Sequence, residues 1–198
     1  MLDFGSGVTF FPFRVANEGF TVTAVDCDPI VQREFGKAMA ATPCERGRIA
    51  FLLVSSDRIP VEDAIFDAVY SISVLEHSSD PISLIDEFET VLIHHGLLLV
   101  TADLSLLPGA GIDPDSYGEL LPRLEQSFDW YVSPDWVHPR KVLTPLNSPW
   151  PPAWYARARR SPLAKFVRRL KDCAKLLLGK PPSFVPGLAC IGMALTKE

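Results

Sequence analysis

Leu2-Asp3-Phe4-Gly5-Ser6-Gly7, followed roughly twenty residues on by Val22-Thr23-Ala24-Val25-Asp26, is the stretch from which the rest of the chain can be ordered. An apolar start, a Gly-x-Gly turn and a helix-ready segment after it describe a strand that ends in a loop. The glycines let that loop turn tightly and bring backbone N–H groups against a ligand. Two glycines alone mark a turn more often than a site, so the neighbouring residues decide. The dinucleotide fingerprint wants a third glycine at position 10, where Phe10 stands, which disfavours a nicotinamide or flavin enzyme. Asp3, two residues before the first glycine, suits a ligand with a cationic amino group. Asp26, at the end of the second apolar run, is placed to accept both hydroxyls of a ribose. A strand-end cap is its bland alternative.

Working outward, short apolar or β-branched runs recur at Phe20–Val25, Ile49–Val54, Phe66–Ile72 and Leu97–Ala102. They read as buried parallel strands. Between them stand helix starts. Asp28-Pro29 precedes Ile30–Ala41, and Asp80-Pro81 precedes Ile82–Ile93, each a cap followed by a first-turn proline. Gly19 and Gly96 sit where helices would stop. Gly118–Ser127 reads as a further helix, Phe128–Val132 as a sixth strand and Leu188–Thr196 as a terminal one. This alternation predicts a doubly wound, mostly parallel α/β sheet of seven strands.

The motifs now on the page resemble those of class I S-adenosylmethionine-dependent methyltransferases, in the small-molecule branch often called type 11 or type 12. Leu2–Gly7 and Ala24-Val25-Asp26 are similar to that family's first motif and the acidic motif after it. Phe66–Ser71 and Val74-Leu75-Glu76-His77-Ser78-Ser79-Asp80-Pro81 resemble its fourth-strand region, and His95–Val100 its fifth strand. The likeness runs from residue 1 to about residue 103. It implies that Asp3, Gly5, Ser6 and Gly7 hold the amino-acid part of S-adenosylmethionine and Asp26 the ribose. It also implies that Asp57 faces the adenine edge and Ser71 flanks the cofactor. Two departures stand out. Thr9 replaces the family's third loop glycine, with Thr9 expected to cap the next helix and Pro12 to fall in its first turn. The chain also begins inside the first strand, so the usual N-terminal helical cover is expected to be lacking.

For chemistry, His77 beside Glu76 is the candidate base, since a histidine can take a hydroxyl proton at neutral pH. In quinone-ring O-methyltransferases that resemble this stretch, a Glu-His pair is associated with a divalent metal; no metal is expected here. A helix-leading histidine that packs locally is the plain alternative. His94-His95 reads as a helix C-terminus complementing the dipole. His138 and Tyr117 are weaker pocket candidates, and Asp67 is read as structural. No nucleophile elbow, Walker loop or H-E-x-x-H motif is present.

The 198 residues fit one domain, with an insertion at about 133–187 that holds ten of the 18 prolines and three of the four tryptophans. The net charge of −5 conceals a division. Residues 157–180 carry nine Lys/Arg and one acid, Asp172, against ten bases and 23 acids elsewhere. The acidic body argues against nucleic acid as a partner. Leu163, Phe166, Val167, Leu170, Ala174, Leu177 and Leu178 form an apolar stripe in the basic segment. That stripe either packs on the domain or lies on an anionic membrane as a peripheral contact. There is no signal peptide and no spanning run, and Cys27, Cys44, Cys173 and Cys190 are scattered, so a cytoplasmic protein with buried, inert thiols is expected.

The leading expectation is methyl transfer from S-adenosylmethionine to a small or medium acceptor, through oxygen, with a lipid- or sugar-linked acceptor compatible with the basic segment. The alternative is a catalytically silent S-adenosylmethionine-binding or scaffold domain of the same fold. A nicotinamide oxidoreductase is the third reading. Oligomeric state is left open.

Overall fold

The computed structural model describes residues 1–55, 58–105, 111–133 and 188–198. Asp57, His138, nearly all of the 133–187 insertion and the whole basic segment lie outside these residues. The elements follow the order β1 (Leu2–Phe4), α1 (Phe11–Asn17), β2 (Thr21–Asp26), α2 (Pro29–Ala41), β3 (Arg48–Leu53) and β4 (Phe66–Ile72). A short 3-10 turn (Leu75–His77) comes next. Then come α3 (Pro81–Val91), β5 (Leu92–Ser105), α4 (Pro114–Ser127), β6 (Phe128–Trp130) and β7 (Leu188–Lys197).

The seven strands form one sheet in the order β3-β2-β1-β4-β5-β7-β6. β1 pairs in parallel with β2 and β4, β2 with β3, and β4 with β5, while β6 runs antiparallel to β7. The expected doubly wound, mostly parallel sheet is therefore the observed one. After β1 the chain winds outward through β2 and β3, then returns to the other side of β1 with β4. The reversal falls between β1 and β4, where sheets of this kind leave a crevice at the carboxyl ends of the strands.

The core follows from the apolar runs. Leu2, Val22, Ala24, Val25 and Val69 are wholly buried, as are Leu84, Ile85 and Phe88 of α3. Phe4 meets Phe88 edge-on at 5.3 Å. Phe13, Phe35 and Phe51 stack in succession at 5.0 and 4.9 Å, tying α1, α2 and β3 together. Each of these side chains contributes about 1.5–3 kcal/mol by leaving water. Arg123 of α4 fastens α3 through Asp86 and Glu89, both at 2.6 Å.

Helix α2 starts as the sequence predicts, with the Ile30 N–H donating to Asp28 Oδ1 at 2.7 Å. The same holds for α3, where the Ser83 N–H donates to Asp80 Oδ1 at 3.0 Å.

Three expectations need correction. Thr9 does not cap α1: its hydroxyl donates back to the Ser6 carbonyl at 3.2 Å, and the cap position is Phe10, which makes no side-chain bond. His94-His95 is not a helix end, because α3 stops at Val91 and Leu92 already pairs with Phe66 of β4. His95 takes a φ of 61° where the register shifts, and Gly96 lies inside β5 rather than at a helix stop. The cation serving the α3 C-terminus is instead Lys197 of β7, whose Nζ donates to the carbonyls of Glu89 and Leu92 at 2.6 and 2.8 Å. Finally, Cys27 and Cys190 are exposed and Cys44 half-buried. Cys27 sits where the chain has just left β2, so nothing covers its thiol; Cys173 lies outside the described residues.

The chain divides into two compact units. One comprises Met1–Ala102, Gly118–Pro134 and Gly192–Glu198; the other Asp103–Tyr117 and Asp135–Ile191. In the described part of the second, the Asp113 carboxylate accepts from the Asp115 and Ser116 N–H groups, opening the helix that carries Tyr117.

Candidate active site

The loop after β1 is held open by two left-handed glycines, Gly5 at φ 72° and Gly7 at φ 54°. Its backbone is anchored on β2: the Gly5 and Ser6 N–H groups donate to the Val25 carbonyl at 2.8 and 3.0 Å. The Asp26 carboxylate spans two connections, accepting from Gly7 N–H at 2.9 Å and from Asp28 N–H at 3.0 Å. Each oxygen keeps a lone pair for a further donor. Asp26 therefore does serve as a local cap, and retains the capacity to accept from a ligand.

Asp3 is the unusual group. It is 4% exposed, and burial pushes its carboxyl up to about 7. The nearby Tyr70 phenol pulls in the other direction, and the Asp26 charge adds to the rise. Among the described residues, no lysine or arginine acts on it. Tyr70 stands beside Asp3 in the β1–β4 register and is itself buried, its phenol pushed well above the ordinary tyrosine range by burial and by the Asp3 charge. Hydrogen bonding between the phenol and the carboxyl is the part of their interaction that holds the Asp3 value down. Ser6 Oγ is buried without a partner among the described residues. A buried carboxyl with no cation among the described residues is a costly arrangement for a protein alone. It suits an ammonium-bearing ligand.

The segment after β4 closes on this loop. Val74 packs so tightly on Gly5 that a Cβ there would lie 2.3 Å from Val74 Cγ2. Ser73, at φ 55°, is pinned by its N–H to the Thr101 carbonyl at 2.9 Å. His77 follows in the 3-10 turn with its side chain exposed and its N–H bonded to the Val74 carbonyl. Ser71 is wholly buried, and its hydroxyl donates to the Phe4 carbonyl at 3.2 Å, tying β4 to the end of β1.

The structure thus gathers Asp3, Gly5, Ser6, Gly7, Asp26 and Ser71 around the carboxyl ends of β1, β2 and β4, with His77 on the adjoining turn. Tyr70 and Val74 are the residues that sequence reasoning missed. A lone tyrosine in an otherwise aliphatic stretch was the available signal, but its place beside Asp3 depends on strand register. Among the described residues, no group of three or more His, Cys, Asp or Glu side chains could hold a metal ion.

A family model described as a methyltransferase domain matches residues 2–100, half of the 198-residue chain and all of the elements that build this site. The chain belongs to the methyltransferase domain family. No curated protein matches it by sequence. The fold recurs in the [4+2]-cyclase SpnF (TM-score 0.68, 20% identity, 99% of this chain, 73% of that one). It recurs also in the YcgJ protein from Bacillus subtilis (0.66, 14%, 100% and 91%). A SAM-dependent methyltransferase from Aquifex aeolicus aligns over 63% of this chain and 69% of its own length, at 19% identity and TM-score 0.52. At these identities the likenesses speak for the fold alone. Family membership sets the reaction class of the methyltransferase domain, S-adenosylmethionine-dependent methyl transfer, and leaves the acceptor open.

Proposed function

We propose that this methyltransferase domain moves the methyl group of S-adenosylmethionine to a hydroxyl oxygen of a small or medium-sized acceptor at the carboxyl ends of β1, β2 and β4. The observation that carries the reading is the buried Asp3, without a cation among the described residues, beside the two left-handed glycines. In this reading Asp3 takes the cofactor's ammonium, and Gly5, Ser6 and Gly7 line its amino-acid end. Asp26 uses its remaining lone pairs on the ribose hydroxyls. Asp57, outside the described residues, is assigned to the adenine edge, and Ser71 holds the crevice in shape beneath the cofactor.

The cofactor supplies an electrophilic methyl on a sulfonium. The chain's task is to hold an acceptor in line with it, which is where most of the rate comes from. His77 would take the proton that the acceptor hydroxyl releases as its oxygen is methylated. His77→Gln is therefore expected to lower turnover about a hundredfold or more and to leave cofactor affinity unchanged. Steady-state kinetics with calorimetry on the same variant check this; full turnover in the variant would return His77 to a local packing role.

A second reading is a silent S-adenosylmethionine-binding or scaffold domain; the fold alone does not dictate methyl transfer, since a [4+2]-cyclase shares it over nearly the whole chain. For the basic segment 157–180, outside the described residues, the proposal remains a peripheral contact with an anionic membrane that would deliver a lipid-linked acceptor. Among the described residues, no helix is long and apolar enough to cross a membrane.

A further inference from the structure

The rim around the candidate site has a composition that stability does not ask for. Phe10 occupies the cap position of α1, where a polar side chain normally satisfies the first N–H groups, and it is 77% exposed. Val8 beside it is 68% exposed and Phe11 49%. Phe10 stands edge-on to the ring of Phe13 at 6.4 Å, and Phe11 stands edge-on to Tyr70 at 5.2 Å. Ile72, at the end of β4, is another exposed apolar residue on this side of the sheet. The Phe11–Tyr70 contact and the seating of Val74 on Gly5 tie these two segments to one end of the β1–β4 pair.

The charges on the same loops are one-sided. Residues 1–13, 26–30 and 71–80 contain Asp3, Asp26, Asp28, Glu76 and Asp80, one histidine, and no lysine or arginine. Asp28 and Asp80 cap helices, and Asp80 has its carboxyl below the usual range because Ser83 donates to it. An anionic group brought to this rim would meet carboxylates and, on these described segments, no compensating cation, a cost that grows as the site loses water.

We propose that the acceptor is an uncharged hydroxyl compound with an apolar body that lies over Val8, Phe10, Phe11 and Ile72, and that the rim excludes acceptors bearing carboxylate or phosphate near the reacting hydroxyl. The inference rests on the functional reading above and narrows its substrate class. The exposed aromatics supply the contact area, and the acidic loops supply the discrimination.

The test uses the full chain saturated with S-adenosylhomocysteine, and 2-naphthol and 2-naphthoate as probes, one uncharged at pH 7 and one anionic on the same apolar body. Calorimetry is expected to show naphthol binding at least about tenfold tighter than naphthoate. Phe10→Ser, which installs a better helix cap and so keeps the fold, is expected to weaken naphthol about tenfold or more, from the apolar area it removes, with S-adenosylhomocysteine affinity unchanged. Equal or tighter binding of naphthoate, or no effect of Phe10→Ser, would overturn the inference. So would a dimer in sedimentation that Phe10→Ser dissociates, since a second copy would then be the occupant of the rim. Failure of S-adenosylhomocysteine itself to bind strikes the functional reading instead, and the two failures are read in separate titrations.

Discussion

Replacing Asp3 by Asn is expected to make the empty protein more stable at pH 8 while abolishing tight cofactor binding. The sign follows from burial. Asp3 keeps its proton in the folded chain up to about pH 7, whereas its ordinary value is 3.8. Between those values the unfolded chain has released the proton and the folded chain has not, so stability falls as pH rises through this window and is flat above it. A gap of about three pH units corresponds to about 4 kcal/mol. An unsatisfied buried amide offsets about 1–3 kcal/mol of the gain from removing the charge. The net expectation for Asp3→Asn at pH 8 is a gain of about 1–3 kcal/mol, or several degrees in Tm. Glu89, Asp80 and Asp113 have lowered values and lose their contributions at more acid pH, outside this window. Melting curves of both proteins at pH 5 and pH 8 check the prediction. Wild type should lose stability between the two and the Asn variant should not; parallel behaviour would mean that Asp3 is ionised without strain. In the wild type, cofactor affinity should rise across the same interval as the ammonium draws Asp3 into its charged form.

The second large effect is expected at Gly5. Gly5→Ala places a Cβ 2.3 Å from Val74 Cγ2 and 2.9 Å from Cγ1, on a backbone at φ 72°. The left-handed conformation costs an alanine about 1–2 kcal/mol, and displacing Val74 adds about 1–3 kcal/mol. Denaturant melts should show the sum, roughly 2–5 kcal/mol, with cofactor binding lost as the loop moves. Val74→Ala removes both Cγ atoms, so in the double variant the steric part should be recovered and the backbone part should persist. A coupling near zero in that double-mutant cycle would show that the two loops do not bear on each other.

What could be read from the sequence divides by the range of the forces involved. Strands β1 to β4 and helix α2 were legible because apolar runs and Asp-Pro starts are local signals. The α3–β5 boundary was not. Val91-Leu92-Ile93 satisfies a helix or a strand equally, and the choice is made by Leu92 pairing with Phe66 and by Lys197 reaching the helix end from β7. Thr9 has the chemistry of a cap, but the turn set by Gly7 aims its hydroxyl back at Ser6.

The site shows the same division. Asp3, Gly5, Gly7 and Asp26 announce themselves by spacing along one segment. Tyr70 and Val74 act on that segment across the sheet, through a register that no spacing encodes. The exposure of Phe10 was equally hidden, since an apolar residue at the head of a helix ordinarily reads as core.

The central claim is that the crevice between β1 and β4 is built for S-adenosylmethionine and not for a dinucleotide. Isothermal titration of the full chain with S-adenosylhomocysteine and with NAD, alongside Asp26→Ala, tests it most directly. S-adenosylhomocysteine should bind the wild type and NAD should not, and Asp26→Ala should weaken the former by roughly ten- to a hundredfold, the loss of charge-assisted hydrogen bonds to the ribose. Preferential binding of NAD, or an Asp26→Ala titration superimposable on the wild type, would contradict the account.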